Sequence, residues 1–322
     1  MRRLALFAAA VLAVAAAPAA RAEPLDVDLS RLGAPDPQIW TTVYQRAGTA
    51  LPASDAATLA AQSRQRFALL STELAMALSS AVLQPASTTG YSGFAVDLEV
   101  ASMAVHPDPV GVGTAGFSSS VWPTNTQPTN LFMPSVHLRK ALPFSLELGG
   151  RLIYLSSSNA YAAQGEAKWA VNEGFEWVPD VAFRAAYTQL FGVKAWNLST
   201  TDLDFMISRR WAIQGVTSLT PYLVARYTLV SASSDRLDFA PAAAPGGPPA
   251  SNPDAAAATQ ASFPHFTTSA YRTTFGIRFT AYTASLALEG TYFGGATPND
   301  SDYAGVKLKS TFGGAAKLGW EW

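Results

Sequence analysis

Three histidines, His106, His137 and His265, and no cysteine in 322 residues set narrow limits on the chemistry this chain could perform. No histidine stands at metal-ligand spacing from another. Thiolate zinc sites, iron–sulfur clusters, disulfides and cysteine nucleophiles are excluded together. No metal and no cofactor are expected. His106 with Asp108, and separately His265, are the acid/base groups that a hydrolase, protease or lipase, would use. Against that reading, His-Pro-Asp is common turn chemistry, and no serine sits in a nucleophile-elbow pattern. Gly111-Val112-Gly113 opens onto Thr, Ser and Pro rather than a helix, so it makes no phosphate loop. The chain is expected not to be an enzyme.

A second set of polar residues is larger and regularly placed. Asp97, Glu99, Glu147, Arg151, Glu166, Lys168, Asp180, Arg184, Asp202, Asp204, Arg226, Arg272, Arg278, Glu289, Lys307 and Lys309, joined by Arg139, occupy alternate positions of segments whose other positions are largely apolar. Phe94, Val96, Leu98 and Val100 alternate with Ala95, Asp97, Glu99 and Ala101; Tyr271, Thr273, Phe275, Ile277 and Phe279 oppose Arg272, Thr274, Gly276, Arg278 and Thr280. A period of two means strands with one face in apolar surroundings and one in polar surroundings. Ten segments fit: 93–106, 130–141, 144–156, 160–172, 178–191, 195–209, 218–231, 268–280, 283–294 and 302–322.

A soluble β-sandwich gives the same alternation. Three features favour a membrane barrel instead. The segments run well beyond the roughly 5–6 residues usual in a sandwich strand. Tyr154, Tyr161, Trp169, Tyr187, Trp196, Tyr227, Tyr292 and Tyr303 gather toward segment ends, where rings suit a headgroup interface. Only 14% of the chain is charged, against about 25% in an average soluble protein. With 22 Lys and Arg against 23 Asp and Glu there is no electrostatic footprint for nucleic acid. No stretch after the first twenty residues has the roughly 18 apolar positions of a spanning helix.

Arg2 and Arg3 precede the apolar run Leu4 to Ala17, and Ala20-Arg21-Ala22 is a small-x-small cleavage pattern. Residues 1–22 therefore read as a signal peptide, with a mature chain from Glu23. Residues 23–90 form a separate N-terminal segment, periplasmic or plugging. Phe67, Leu70, Leu74, Leu78 and Ala81 recur at helical spacing, so 54–83 is read as partly helical, although Leu70, Thr72, Leu74, Met76 and Leu78 also alternate as a strand would. The barrel occupies 91–322.

The last segment carries Val306, Leu308, Ser310, Phe312, Gly314, Ala316, Leu318, Trp320 and Trp322 on one parity and Lys307, Lys309, Thr311, Lys317 and Glu321 on the other, and stops on an aromatic. This ending resembles that of Gram-negative outer-membrane β-barrel proteins, with Trp322 where the family usually ends in Phe. The resemblance implies an all-β, antiparallel transmembrane barrel of about ten strands, within a range of eight to fourteen. It also implies Leu318, Trp320 and Trp322 as the assembly signal, with outer-membrane lipid and the barrel-assembly machinery as partners. Both termini would be periplasmic. Counting back from a periplasmic C-terminus puts the long connections 107–129 and 232–267 outside and the tight turns at Ala141-Leu142-Pro143 and Ala281-Tyr282 inside; a strand at 66–79 would reverse this. The connection 232–267, Pro, Gly and Ala-rich from Ala240 to Pro249, is read as a surface loop rather than a mouth constriction.

The charged parity makes those residues candidates to line the lumen. Ten strands lie near the size that side chains fill. The functional readings are a structural barrel or narrow passive channel for small solutes, a transporter of hydrophobic compounds with an N-terminal plug taking apolar ligands, or the hydrolase above.

Overall fold

The computed structural model describes residues 25–46, 48, 50–79, 81–105, 122, 128–175, 177–239, 259–298 and 308–322. The expected signal peptide, His106, Asp108, Lys307 and the low-complexity run 240–249 lie outside the described residues.

Ten long strands dominate: β1 (Phe94–Ala104), β2 (Asn130–Leu142), β3 (Leu146–Tyr154), β4 (Tyr161–Asn172), β5 (Asp180–Phe191), β6 (Trp196–Ser208), β7 (Thr217–Ser234), β8 (Phe266–Ala281), β9 (Ala284–Phe293) and β10 (Thr311–Glu321). Each pairs antiparallel with the next, and β10 returns to β1, with Ala95 opposite Glu321 and Leu98 opposite Leu318, which closes the cylinder. Closure leaves no unpaired edge, the condition a sheet must meet in hydrocarbon. Each of the ten alternating segments holds one strand. The last differs in extent. It reads as one strand from 302, but the strand begins at Thr311, and Leu308 to Ser310 precede it without strand structure. Leu308 is instead buried ahead of the strand, its N–H bonded to Ala296 O at 2.9 Å.

Burial follows the parity. Along β5, Ala182, Arg184 and Ala186 are buried while Phe183, Ala185 and Tyr187 face out. Leu98, Leu138, Leu152, Phe183, Leu203 and Phe275 stand exposed on the outer wall, where solvation by lipid is favourable. Aromatics ring both ends. Tyr161 and Phe191, Tyr227 and Tyr271, and Tyr292 and Phe312 pair at 5.6, 5.0 and 5.1 Å at one end. Phe94 and Trp322 pair at 5.2 Å at the other, with Phe144, Trp211 and Tyr282 exposed nearby. Among the described residues no helix is long and apolar enough to cross a membrane.

The N-terminal segment forms two helices, α1 (Pro37–Arg46) and α2 (Ala53–Leu78), preceded by a short 3-10 turn at Leu29–Leu32. Residues 53–78 are thus helical rather than stranded. Ile39 and Trp40 of α1 pack on Ala56 and Ala60 of α2. From Phe67 onward α2 is buried around almost its whole circumference: Ala68, Ser71, Thr72, Ala75 and Ala77 are as buried as Leu70 and Leu74. The helix is inside the barrel. A helix with ordinary side chains is about 10–12 Å across, and the Ala, Ser and Thr faces are what let it fit.

Phe67 stacks on Phe263 at 4.4 Å and meets Phe266 edge-on at 5.9 Å. Met103, Leu131, Leu155, Leu198, Val230 and Phe293 complete this apolar cluster. All of these lie at the end where β1, β3, β5, β7 and β9 finish, the end of the long connections. The arms of the 235–265 connection enter this mouth through Phe239 and Phe263, which pair at 5.9 Å. Of the described arms, Phe263 is buried against the helix and Phe239 half-buried, while Asp235, Arg236, Gln260, Ser262 and His265 are exposed, so these aromatics depart from the surface placement expected of the connection.

After Ser79 the chain leaves the helix and runs through the lumen as an irregular strap, Ala81–Thr89, to the opposite end, where β1 starts. The expectation that both termini lie on one side meets a different arrangement in the described residues. Leu25 N bonds Ser157 O at 2.9 Å and Asp26 holds Asn159 at the helix end, while Trp322 bonds Phe94 at the other.

Candidate functional site: the charged lumen

Alternation sends one side chain in every two into the cylinder, and in the half away from the helix many of those side chains are charged. Neighbouring strands offer opposite signs. Arg184 on β5 lies directly across from Asp204 on β6, which lies across from Arg226 on β7; Asp204 takes Arg226 through Nε and Nη2 and Arg184 through Nη1. Arg184 also holds Glu166. On the far side Asp97 receives Arg139 at 2.9 Å and Lys317 at 3.2 Å, while Glu147 receives Arg139 at 3.3 Å and Lys168 at 2.9 Å. Glu99 pairs with Arg151 at 2.8 Å, Asp202 with Arg272 at 2.8 Å, and Glu321 with Arg278 at 3.1 Å. His137 sits between two carboxylates, 3.1 Å from Glu99 through Nδ1 and 3.1 Å from Glu166 through Nε2. Burying any one of these charges alone would cost several kcal/mol. Pairing around the ring is what makes such an interior tolerable.

The strap supplies the remaining partners. An extended chain without a strand neighbour carries unsatisfied N–H and C=O groups, each of which must find a partner when buried. Arg151 donates to Ala81 O at 2.7 Å and Val82 O at 3.3 Å. Lys168 donates to Gln84 Oε1 and Ser87 O, both at 3.0 Å. Arg272 donates to Ser79 O at 2.9 Å, where α2 ends, and Arg226 donates to the same carbonyl. Carboxylates accept the N–H groups: Val82 and Leu83 donate to Glu289, Thr88 to Glu173 and Thr89 to Glu147. Glu289 also accepts from Tyr222 Oη at 2.8 Å and makes no ion pair among the described residues. Its acceptor capacity goes to the strap.

Of the sixteen candidate lumen residues, Asp97, Glu99, Glu147, Arg151, Glu166, Lys168, Asp180, Arg184, Asp202, Asp204, Arg226, Arg272, Arg278 and Glu289 lie buried in the interior. Lys307 is outside the described residues. Lys309 is a correction: it is exposed and precedes the strand, since β10 starts only at Thr311. Of the assembly-signal residues, Leu318 and Trp322 are exposed on the outer wall and Trp320 is half-buried. Residues that the site adds are Gln84, Glu173 and Tyr222, together with His137, which sequence spacing treats only as a lone histidine. Parity could have placed His137 beside Arg139. Nothing periodic announces Gln84.

His265 is exposed at the rim with Nε2 2.9 Å from Ser231 Oγ. Asp97, Glu99 and His137 bring potential ligand atoms within 4.8 Å of one another, but Arg139, Lys317 and Arg151 already occupy the carboxylates, and a metal ion would have to displace them.

A closed antiparallel cylinder with an apolar outer belt, aromatic rings at both ends and an ion-paired interior is a transmembrane β-barrel of the outer-membrane type. No family model matches the chain, and no curated protein matches it. Among solved structures it is similar to Neisserial surface protein A (13% identity, 70% of this chain and 96% of that one, TM-score 0.27). It is also similar to the outer membrane protein OprG from Pseudomonas aeruginosa (11%, 74% and 99%, TM-score 0.26) and to Ail, the attachment invasion locus protein of Yersinia pestis (11%, 72% and 100%, TM-score 0.23).

Proposed function

We propose that this protein resides in the bacterial outer membrane as a non-enzymatic barrel sealed by its own N-terminal segment, a structural barrel rather than a passive pore. The observation that supports this reading is the strap: its main-chain groups are taken up by inward-facing side chains of β3, β4, β6 and β9, while Arg226 of β7 and Arg272 of β8 hold the Ser79 carbonyl just before it, so the strap belongs to the ion-paired core instead of resting in a water-filled channel. The apolar half favours the same reading over transport of hydrophobic compounds, because Phe67, Phe263 and Phe266 fill one another's faces. Outer-membrane lipid solvates the wall, and Leu318, Trp320 and Trp322 on the final strand are the residues the barrel-assembly machinery would engage.

The full-length protein in a planar bilayer is expected to give no steady single-channel steps. Reproducible steps of constant amplitude would replace the sealed barrel with the narrow channel. Mass spectrometry of the purified protein tests the apolar-ligand alternative, which requires a co-purifying lipid-like molecule.

A further inference from the structure

The helical module Leu25–Leu78 and the long connections share one end of the barrel; the tight turns at 143–145 and 282–283 share the other with Phe94 and Trp322. In outer-membrane barrels the short turns face the periplasm and the long connections face outward. The strap joins the two ends through the lumen, and no other described segment connects the module to β1. We propose that the barrel carries its own N-terminal module through the lumen and displays it, as α1 and the exposed first half of α2, on the outer surface of the cell. The inference rests on the outer-membrane reading above and goes further, since a sealed structural barrel needs no such crossing.

Composition and contacts agree with a chain made to lie in this passage. Ser79, Ala81, Ala86 and Ser87 are small, and Pro85 keeps the strap from continuing the helix. The lumen offers both donors and acceptors to its main chain, Arg151 and Lys168 to carbonyls, Glu289 and Glu147 to N–H groups. These contacts recognise backbone more than side chain, as a wall that accommodates a passing polypeptide must. The module outside is tied to the rim by Leu25 and Asp26 on Ser157 and Asn159. Its own core, Ile39 and Trp40 against Ala56 and Ala60, shows that it is folded where it stands.

The absence of native cysteine allows a direct test. Ser54→Cys at the exposed start of α2 and Tyr282→Cys in the tight turn between β8 and β9 each give a single thiol, with Gln45→Cys on exposed α1 as a second reporter for the module. Intact cells are treated with a membrane-impermeant maleimide, before and after outer-membrane permeabilisation. Display predicts that Ser54→Cys and Gln45→Cys react fully in intact cells, and that Tyr282→Cys reacts at least tenfold more after permeabilisation. Protection of both module cysteines in intact cells, or reaction of Tyr282→Cys there, overturns the proposal. Fractionation separates this from failure of the underlying reading: protein recovered in the detergent-extracted outer membrane with a protected module removes display alone, whereas protein absent from that fraction removes both.

Discussion

The two halves of the barrel interior are filled by the same continuous stretch of chain in two different chemistries. Near the long connections the stretch is α2, whose Phe67, Leu70 and Leu74 pack among Met103, Leu131 and Phe293 of the wall. Near the tight turns it is the strap, whose main chain meets arginine, lysine and carboxylates while Val82 and Ala86 pack on Met206, Tyr222 and Val224. A helix satisfies its own main chain, so its neighbours can be apolar. An irregular strap cannot, so its neighbours must donate and accept. The change from apolar to ionic lining coincides with Ser79, where the helical hydrogen bonds stop and Arg226 and Arg272 take over the free carbonyl. Backbone conformation of the filler dictates the side chains of the wall.

That comparison can be broken at either half. Asp204→Ala removes the carboxylate between two buried guanidinium groups, Arg184 and Arg226, and should cost about 3–5 kcal/mol, read as a lowered urea midpoint of the detergent-folded barrel. Asp204→Asn should recover only part of that loss. Phe67→Ala in the apolar half should cost about 3 kcal/mol by opening a cavity beneath Phe263 and Phe266, and the loss should be insensitive to added salt. Glu289→Gln keeps an acceptor for the strap and for Tyr222, and should cost about 1–2 kcal/mol; hydrogen exchange should rise first at the Val82 and Leu83 amides. Phe275→Leu on the outer wall touches neither filler and should change the unfolding midpoint by less than about 0.5 kcal/mol. An effect on the scale of Phe67→Ala would mean that this face packs on protein rather than lipid.

The strands were legible because every second residue reports one solvent, and Arg272 and Arg278 opposite Phe275 and Phe279 leave no choice of face. The alternating segments, with long connections on one side and tight turns on the other, point to ten strands. The filler was less legible. The stripe of Phe67, Leu70 and Leu74 announces a helix with one buried face, yet Ser71, Thr72 and Glu73 are buried as well, because a helix within a cylinder has no solvent side. The strap carries no period, as many of its contacts run through main-chain atoms common to every residue type. At the start of the last segment, the apolar parity of Val306 and Leu308 resembles strand alternation and puts Lys309 on the inner wall, but Leu308 bonds Ala296 ahead of the strand and Lys309 stands exposed.

Because β10 pairs with β1 around a chain that lies inside, the barrel is a ring closed on its own thread. Tension applied to the N-terminal helices would be borne by the ring as a whole. Release demands either unravelling of α2 or parting of the β1–β10 seam, so the tether would hold under mechanical load without any covalent crosslink.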